Sequence, residues 1–522
     1  MKIIAVAMYG IILLIIGFVA SKQMNDIKDY FVGGKKLGFL AVAFSARATG
    51  ESAWLLLGLT GMGFALGVQA FWVVVGEVIG VGGAWLFMAR RFKRLTDQYD
   101  SITVPDYLES RFRDTGHWLR LIAAGALLLF VPIYAGAQVF ASGGAFFDFL
   151  GLNPYIGAII GFAIVLIYIT QGGFTAVVWS DIFQGSLMVL GLVVLPIVGL
   201  MEIGGVTNVV EALRSIDPHL LTMHGPGEAG ADGIIPPSTG GWSAGTIFGI
   251  VGLAAIGIGF WGSPQIFVRY ISMKSEKSIL PGTITAVVWT ILADSGAVLI
   301  GIVGRALLSK EIGLDSETVL PVMAMTLMPA FFAGVYIAMV LSAIMSTIDS
   351  LLVLASSAAV RDYWQKTKHP EMTDKQLMST SRILTLILAF IAFLIGMILL
   401  RFEGNSKIFW IIIFGWSGIA ATFCPTMILS LYWSKFTANA AKLSMIAGLV
   451  SVLFFKFAAG KILIAIKLEQ IADYLGSLDV ILPSFIVGFT VAIVVSLLDK
   501  KGQANLEGVK EDLEFAKTGK ES

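Results

Sequence analysis

The chain has 522 residues, 57% of them hydrophobic and 14% charged, with a formal net charge of +1 and a mean hydropathy of +0.85. These values lie far from a soluble domain and fit a polytopic membrane protein, and the near-neutral charge gives no reason to expect a nucleic-acid partner. A single cysteine, Cys424, excludes an intramolecular disulfide and a thiolate metal cage, and four histidines without an HExxH spacing leave no zinc-hydrolase pattern.

A hydrocarbon core about 30 Å thick takes about 20 apolar residues per helix. On that rule the sequence predicts an all-α protein with thirteen transmembrane helices, near 4–20, 38–66, 69–89, 118–149, 155–171, 176–201, 242–266, 279–307, 329–358, 377–400, 408–432, 441–458 and 481–498. The first run is preceded only by Lys2 and shows no small-residue cleavage site, so it is read as a retained helix and not a signal peptide. Alternate loops carry most of the basic charge. They hold Lys22, Lys28, Lys35 and Lys36; Arg90, Arg91, Lys93 and Arg94; Arg269, Lys274 and Lys277; Arg361, Lys366, Lys368 and Lys375; and Lys500 with Lys501. The positive-inside rule then puts the N-terminus outside and the C-terminus in the cytoplasm of a multi-pass plasma-membrane protein. The loop 202–241 is expected to be irregular, with a short helix around Val206–Ser215 and turns at Pro226-Gly227, Pro236-Pro237 and Gly240-Gly241. One transmembrane domain covers 1–500, and 501–522 is a short polar tail.

Two spans look interrupted. The second reads Ser45-Ala46-Arg47-Ala48-Thr49-Gly50-Glu51-Ser52-Ala53-Trp54, and the seventh reads Gly257-Ile258-Gly259-Phe260-Trp261-Gly262-Ser263-Pro264. Gly and Pro in mid-membrane weaken a helix and free its carbonyls. A matched pair five spans apart points to two inverted halves and to a secondary transporter's midplane site. Ordinary packing through small residues is the other reading.

The ninth span carries Ser342-Ala343-Ile344-Met345-Ser346-Thr347-Ile348-Asp349-Ser350. On a helix Ser346, Asp349 and Ser350 share one face and offer hard oxygen ligands, suited to a small hard cation. The intramembrane ionisable residues are Arg47, Glu51, Glu77, Asp181, Asp294 and Asp349, each a candidate for function with a partner to be found. Arg47 and Glu51, one helical turn apart, either neutralise each other or serve a substrate; with the helix unwound there, Glu77 and Asp294 compete for Arg47. Asp181 either caps a helix or pairs with a loop lysine, unless it faces the Ser346 side of the ninth span. Gly172-Gly173 allows a tight turn before it.

These residues resemble the sodium:solute symporter family, and within it the sodium/proline symporter branch. The resemblance rests on Ala343-Ile344-Met345-Ser346-Thr347, Asp29-Tyr30-Phe31-Val32-Gly33-Gly34, Ser52-Ala53-Trp54-Leu55-Leu56 and Val104-Pro105-Asp106-Tyr107. Gly172-Gly173-Phe174, Trp179-Ser180-Asp181 and Gly262-Ser263-Pro264-Gln265 continue it, and it covers about residues 1–460. It implies a LeuT-like inverted five-helix repeat with extra helices, the repeats falling at 38–201 and 242–432. It also implies sodium as coupling ion, bound by carbonyls of Ala48 and Glu51 with Ala343, Ser346 and Thr347. A second sodium position is implied at Asp181 with Ser346, Asp349 and Ser350, where Asp349 stands for the family's hydroxyl and either tightens sodium or carries a proton. Tyr134 and Pro264 match the branch's substrate positions; Phe260 at a third such position, and Arg47 and Glu51, which are not part of that pattern, complete the substrate-binding candidates. The chain departs from the branch at Gly50, where the branch has an aspartate, and at Ile256 and Phe260, where it has Trp and Tyr. The expectation is a sodium-coupled symporter, not an enzyme, that imports a small organic solute, proline or another amino acid or carboxylate, across the lipid bilayer by alternating access. A proton-coupled symporter and a solute-sensing membrane module without net transport are the alternatives, and the oligomeric state is left open.

Overall fold

The computed structural model describes residues 1–22, 26–226, 241–312, 315–402 and 407–519. In chain order the helices are α1 (Lys2–Ser21), α2 (Ile27–Val32), α3 (Phe39–Gly50), α4 (Thr60–Leu66), α5 (Phe71–Gly83), α6 (Ala89–Gln98), α7 (Val104–Phe112), α8 (Trp118–Leu150), α9 (Pro154–Ile203), α10 (Val206–Ile216), α11 (Ala244–Ala255) and α12 (Pro264–Ser272). They continue with α13 (Ile279–Ile312), α14 (Val319–Leu327), α15 (Ala330–Ser357), α16 (Asp374–Phe402), α17 (Ile408–Tyr432), α18 (Ala438–Phe454), α19 (Gly460–Ala465), α20 (Glu469–Ser477), α21 (Ile481–Leu498), α22 (Lys500–Ala504) and α23 (Val509–Thr518). The short helix expected near 206–215 is α10; of the expected loop turns, Gly227, Pro236-Pro237 and Gly240 lie outside the described residues.

Among the described residues, 11 helical stretches are long and apolar enough to cross a membrane, and two shorter apolar helices, Phe39–Gly50 and Pro154–Leu166, accompany them. The expected count of thirteen long spans is therefore not reproduced among the described residues. The second span is split near Glu51, and its distal part joins the third in one stretch, Trp54–Gln98, interrupted by Gly67 at φ 59. The sixth span is counted as Gly173–Ile203 and the fifth appears as the shorter Pro154–Leu166, the two lying in one element, α9, kinked at Gly173 (φ 51, ψ −159). That backbone conformation suits glycine alone, and a Cβ there would also lie 2.7 Å from the Tyr30 ring.

The two interrupted spans are broken as the sequence predicts. α3 ends at Gly50, Glu51 is extended (φ −81, ψ 169), and helix resumes through a π-type turn at Trp54–Leu59. α11 gives way to a 3-10 turn at Ile256–Trp261, Gly262 is extended, and α12 starts at Pro264. Proline has no N–H to continue a helix but is well placed to start one. The second break packs backbone to backbone on α5: a Cβ on Gly257 would collide with the Gly76 carbonyl.

α15 is the central helix. The most apolar window of its stretch is 100% buried, against 28% for α1 and for α16. Its small residues let α1, α8 and α9 pack closely around it. α16 instead turns a stripe outward, with Ile383, Ile387, Phe390, Leu394 and Ile398 exposed at helical spacing, as a lipid-facing helix requires.

Candidate functional site

The site is built where α15 crosses the end of α3. The last turn of α3 has lost its helical continuation, so its carbonyls need other partners. Ser346 Oγ donates to the Ala48 carbonyl at 2.9 Å, and Thr347 Oγ1 donates to the Thr49 carbonyl at 3.3 Å. Ser346 Oγ also lies 3.2 Å from the Ala343 carbonyl in its own helix. Ala48, Ala343, Ser346 and Thr347 are fully buried. Two hydroxyls facing two freed carbonyls make a compact set of hard oxygens that can turn their lone pairs to a small cation. Of the expected ligands, Glu51 differs: its described contacts run through its N–H, 2.9 Å from the Arg47 carbonyl, and through its carboxylate to Arg47.

One turn further along α15, the structure departs from the sequence reading. Arg269 on α12, counted above as a cytoplasmic loop charge, is buried. Its Nη2 lies 3.1 Å from Asp181 Oδ2 and donates to Ser350 Oγ at 2.6 Å, and its Nε donates to Ser45 Oγ at 2.8 Å. Thr49 Oγ1 accepts from the same Nη2 and lies 2.8 Å from Ser350 Oγ. Ser45 Oγ donates to Asp181 Oδ2 at 2.6 Å. Asp181 therefore does face the hydroxyl side of α15, and a guanidinium stands among the oxygens assigned to a second sodium. Asp349 is fully buried on that helix.

The third group lies on the other side of the α3 break. Arg47 pairs with Glu51 and, at 3.4 Å, with Glu77 Oε2. The pair with Glu51 survives the break because Glu51 is the first residue beyond the helix. Arg47 also stacks on Phe260 and Trp289, 4.8 and 5.5 Å from their ring centres. Glu51, Glu77 and Asp294 each place a carboxylate oxygen within 4.8 Å of those of the other two, and all three are fully buried.

Phe260 accounts for Gly50. A Cβ on Gly50 would lie 2.7 Å from Phe260 Cε1, so this ring fills the space that an aspartate side chain would enter. Phe260 is held in turn by Trp416, with ring centres 5.1 Å apart. Tyr134 and Pro264 are buried, Tyr134 packing on Gly415 of α17 and Pro264 opening α12. Sequence reasoning missed Arg269 because a basic residue at a span's end reads as a loop charge. The available signal was its place one turn after Gln265, on a helix that the break draws inward.

Paired breaks in two helices, with buried charge and hydroxyl clusters between them, define a membrane transporter of the broken-helix class. The family model for the sodium:solute symporter family matches residues 30–448. The chain belongs to that family. It is similar to the osmoregulated proline transporter OpuE of Bacillus subtilis, 30% identical over 98% of each chain. It is 33% identical to the high-affinity proline transporter PutP of the same organism, over 85% of this chain and 89% of that one. The sodium/proline symporter of Escherichia coli is 29% identical over 96% and 93%. In fold the chain resembles a solved Na+-coupled sialic acid symporter in a substrate-bound outward-open state, with TM-score 0.76 and 18% identity over 95% of this chain and 98% of that one.

Proposed function

We propose that the chain is a sodium-coupled symporter that imports L-proline or a closely related zwitterionic solute. The observation that carries this reading is the meeting of Ser346 and Thr347 with the Ala48 and Thr49 carbonyls at the α3 break. Sodium placed there, with Ala48, Ala343, Ser346 and Thr347 as its surroundings, ties α3 to α15 and favours one arrangement of the two helices. Solute and ion are coupled because each prefers that same arrangement. One charge moving down 100 mV supplies about 2.3 kcal/mol for accumulation. The proline relatives support the solute class, and Arg47, Glu51, Tyr134, Phe260 and Pro264 are the residues we assign to it.

A second sodium at Asp181, Asp349 and Ser350 requires Arg269 to leave, so we assign one sodium to the α15 hydroxyls. We read the molecule as thirteen crossings with repeats at 38–201 and 242–432, the N-terminus outside and the C-terminus in the cytoplasm. The interruptions at Gly67 and Gly173 and the basic loops support that count and orientation.

The test is uptake of labelled L-proline into proteoliposomes under an imposed sodium gradient or an imposed proton gradient. Sodium-driven, saturable uptake is expected. Uptake driven by protons alone overturns the sodium assignment, and binding without accumulation favours a sensor.

A further inference from the structure

Two buried arginines stand on either side of the α3 break, and they leave different amounts of charge uncompensated. Arg269 meets the one carboxylate of Asp181, charge for charge, and Ser45 and Thr49 also bond its Oδ2, while Oδ1 accepts no hydrogen bond among the described residues. Arg47 faces three carboxylates, Glu51, Glu77 and Asp294. Its Nη2 is the atom that approaches both Glu51 and Glu77. Among the described residues, its Nε and Nη1 find no acceptor, and neither oxygen of Asp294 accepts a hydrogen bond, nor does Glu77 Oε1. Asp294, fully buried on α13, thus aims an unsatisfied carboxylate at an ion-paired cluster that already carries more negative than positive charge.

A carboxylate buried in mid-membrane without a hydrogen-bond donor is strongly unfavourable, and the one guanidinium of Arg47 can balance only one of these three charges. That surplus is offset either by protons or by a cationic occupant, and the donor set favours the occupant. The donors are all hard oxygens. They come from three separate elements, the α3 break, α5 and α13, and so can close around one centre. Hard cations sit about 2.0–2.6 Å from oxygen, so oxygens 4.8 Å apart or closer can face one ion from opposite sides. The adjacent guanidinium repels a divalent ion more than a monovalent one. A carrier must also release what it binds.

We propose that Glu51, Glu77 and Asp294 form a site for one monovalent cationic group, either a sodium ion or the charged nitrogen of the transported solute. This deepens the symporter reading and rests on it. In the second case the same cluster holds both ends of a zwitterion, with the carboxylates on its nitrogen and Arg47 on its carboxylate.

The experiment measures binding of radiolabelled sodium to the purified full-length chain, for the wild type, Asp294→Asn and Glu77→Gln. In parallel, L-proline and tetrahydrofuran-2-carboxylate, which keeps the carboxylate and lacks the charged nitrogen, compete for labelled proline. One fewer sodium per chain in both variants assigns the site to sodium. An unchanged sodium count with the preference for proline over the oxygen analogue reduced about tenfold or more assigns it to the solute nitrogen. If neither quantity changes in variants that keep the wild-type gel-filtration profile, the cluster is neutralised by protons alone and the proposal is wrong. Ser346→Ala is measured alongside. Its effect on sodium binding reports on the α15 hydroxyls separately, so failure there and failure at the carboxylates are read independently.

Discussion

The guanidinium of Arg269 and the carboxylate of Asp181 stand 3.1 Å apart in the middle of the bundle, each buried. The pair joins α12 to α9, and the hydroxyls of Ser45, Thr49 and Ser350 extend it to α3 and α15. Removing one partner of a buried ion pair leaves the other charge stranded, which costs about 3–5 kcal/mol, whereas removing both costs far less. Arg269→Met and Asp181→Asn are each expected to lower the unfolding temperature in detergent and to reduce uptake. The double variant is expected to recover most of the stability. Additive losses would show that the two residues do not act as a pair. Guanidinium added at millimolar concentration is expected to restore part of the uptake of Arg269→Ala.

At the α3 break, Ser346→Ala or Thr347→Ala removes a hydroxyl from a carbonyl it contacts. A bond to a charged group contributes about 1.5–3 kcal/mol, so the apparent sodium affinity for uptake should fall about tenfold or more. Protein abundance in the membrane should change little. Quantified immunoblots beside sodium titrations of uptake check this, and an equal drop in both overturns the assignment.

Gly50 and Phe260 form a size-exchange pair. Gly50→Asp alone forces a side chain into space held by the Phe260 ring, and overpacking of this kind costs about 1–3 kcal/mol. Combining it with Phe260→Ala makes room. The expected outcome is poor expression and low uptake for Gly50→Asp and better expression for the double variant. Equal behaviour of the two would remove Phe260 as the reason for the glycine.

The tail is not merely a polar extension, because α23 docks on α6 and on Tyr99 and Arg113, which follow α6 and α7. Asp512 accepts from Arg113 at 2.6 Å, Tyr99 at 2.7 Å and Gln98 at 2.8 Å. Arg94 donates to the carbonyls of Ala516 and Lys517 and to Glu276. Burial would push the Asp512 carboxyl up, but the bonds from Arg113 and Tyr99 and the Arg113 charge outweigh it and hold the group below the usual carboxylate range. A depressed value in the docked state means that the contribution to docking is fully present above the undocked value, about 3.9, and is lost as pH falls through the docked one. Trypsin cleavage at Lys510 and Lys517 should therefore be unchanged across neutral pH in the wild type and faster at pH 7 in Asp512→Asn. Equal cleavage rates would exclude docking through Asp512.

Much of the architecture is legible in the amino-acid sequence. Apolar runs of membrane length, the Gly/Pro interruptions at 50–54 and 257–264, and the hydroxyl face of α15 are local features set by composition and helical period. The count of crossings was less legible. Gly67 and Gly173 act through backbone dihedrals, which decide whether two apolar runs are one element or two and which hydropathy does not encode.

The sequence by itself determined an all-helical membrane protein with two broken spans, and it placed Ser346, Asp349 and Ser350 on one face of the ninth span. The tertiary structure alone decided which charge meets which. Arg47 and Glu51 are neighbours in the chain, but Glu77 and Asp294 reach them from α5 and α13, and Arg269 reaches Asp181 across 88 residues. Covalent order sets helical phase and local hydrogen bonding. Pairing of buried charges depends on how rigid helices cross, and a broken helix changes that crossing in ways no local pattern records.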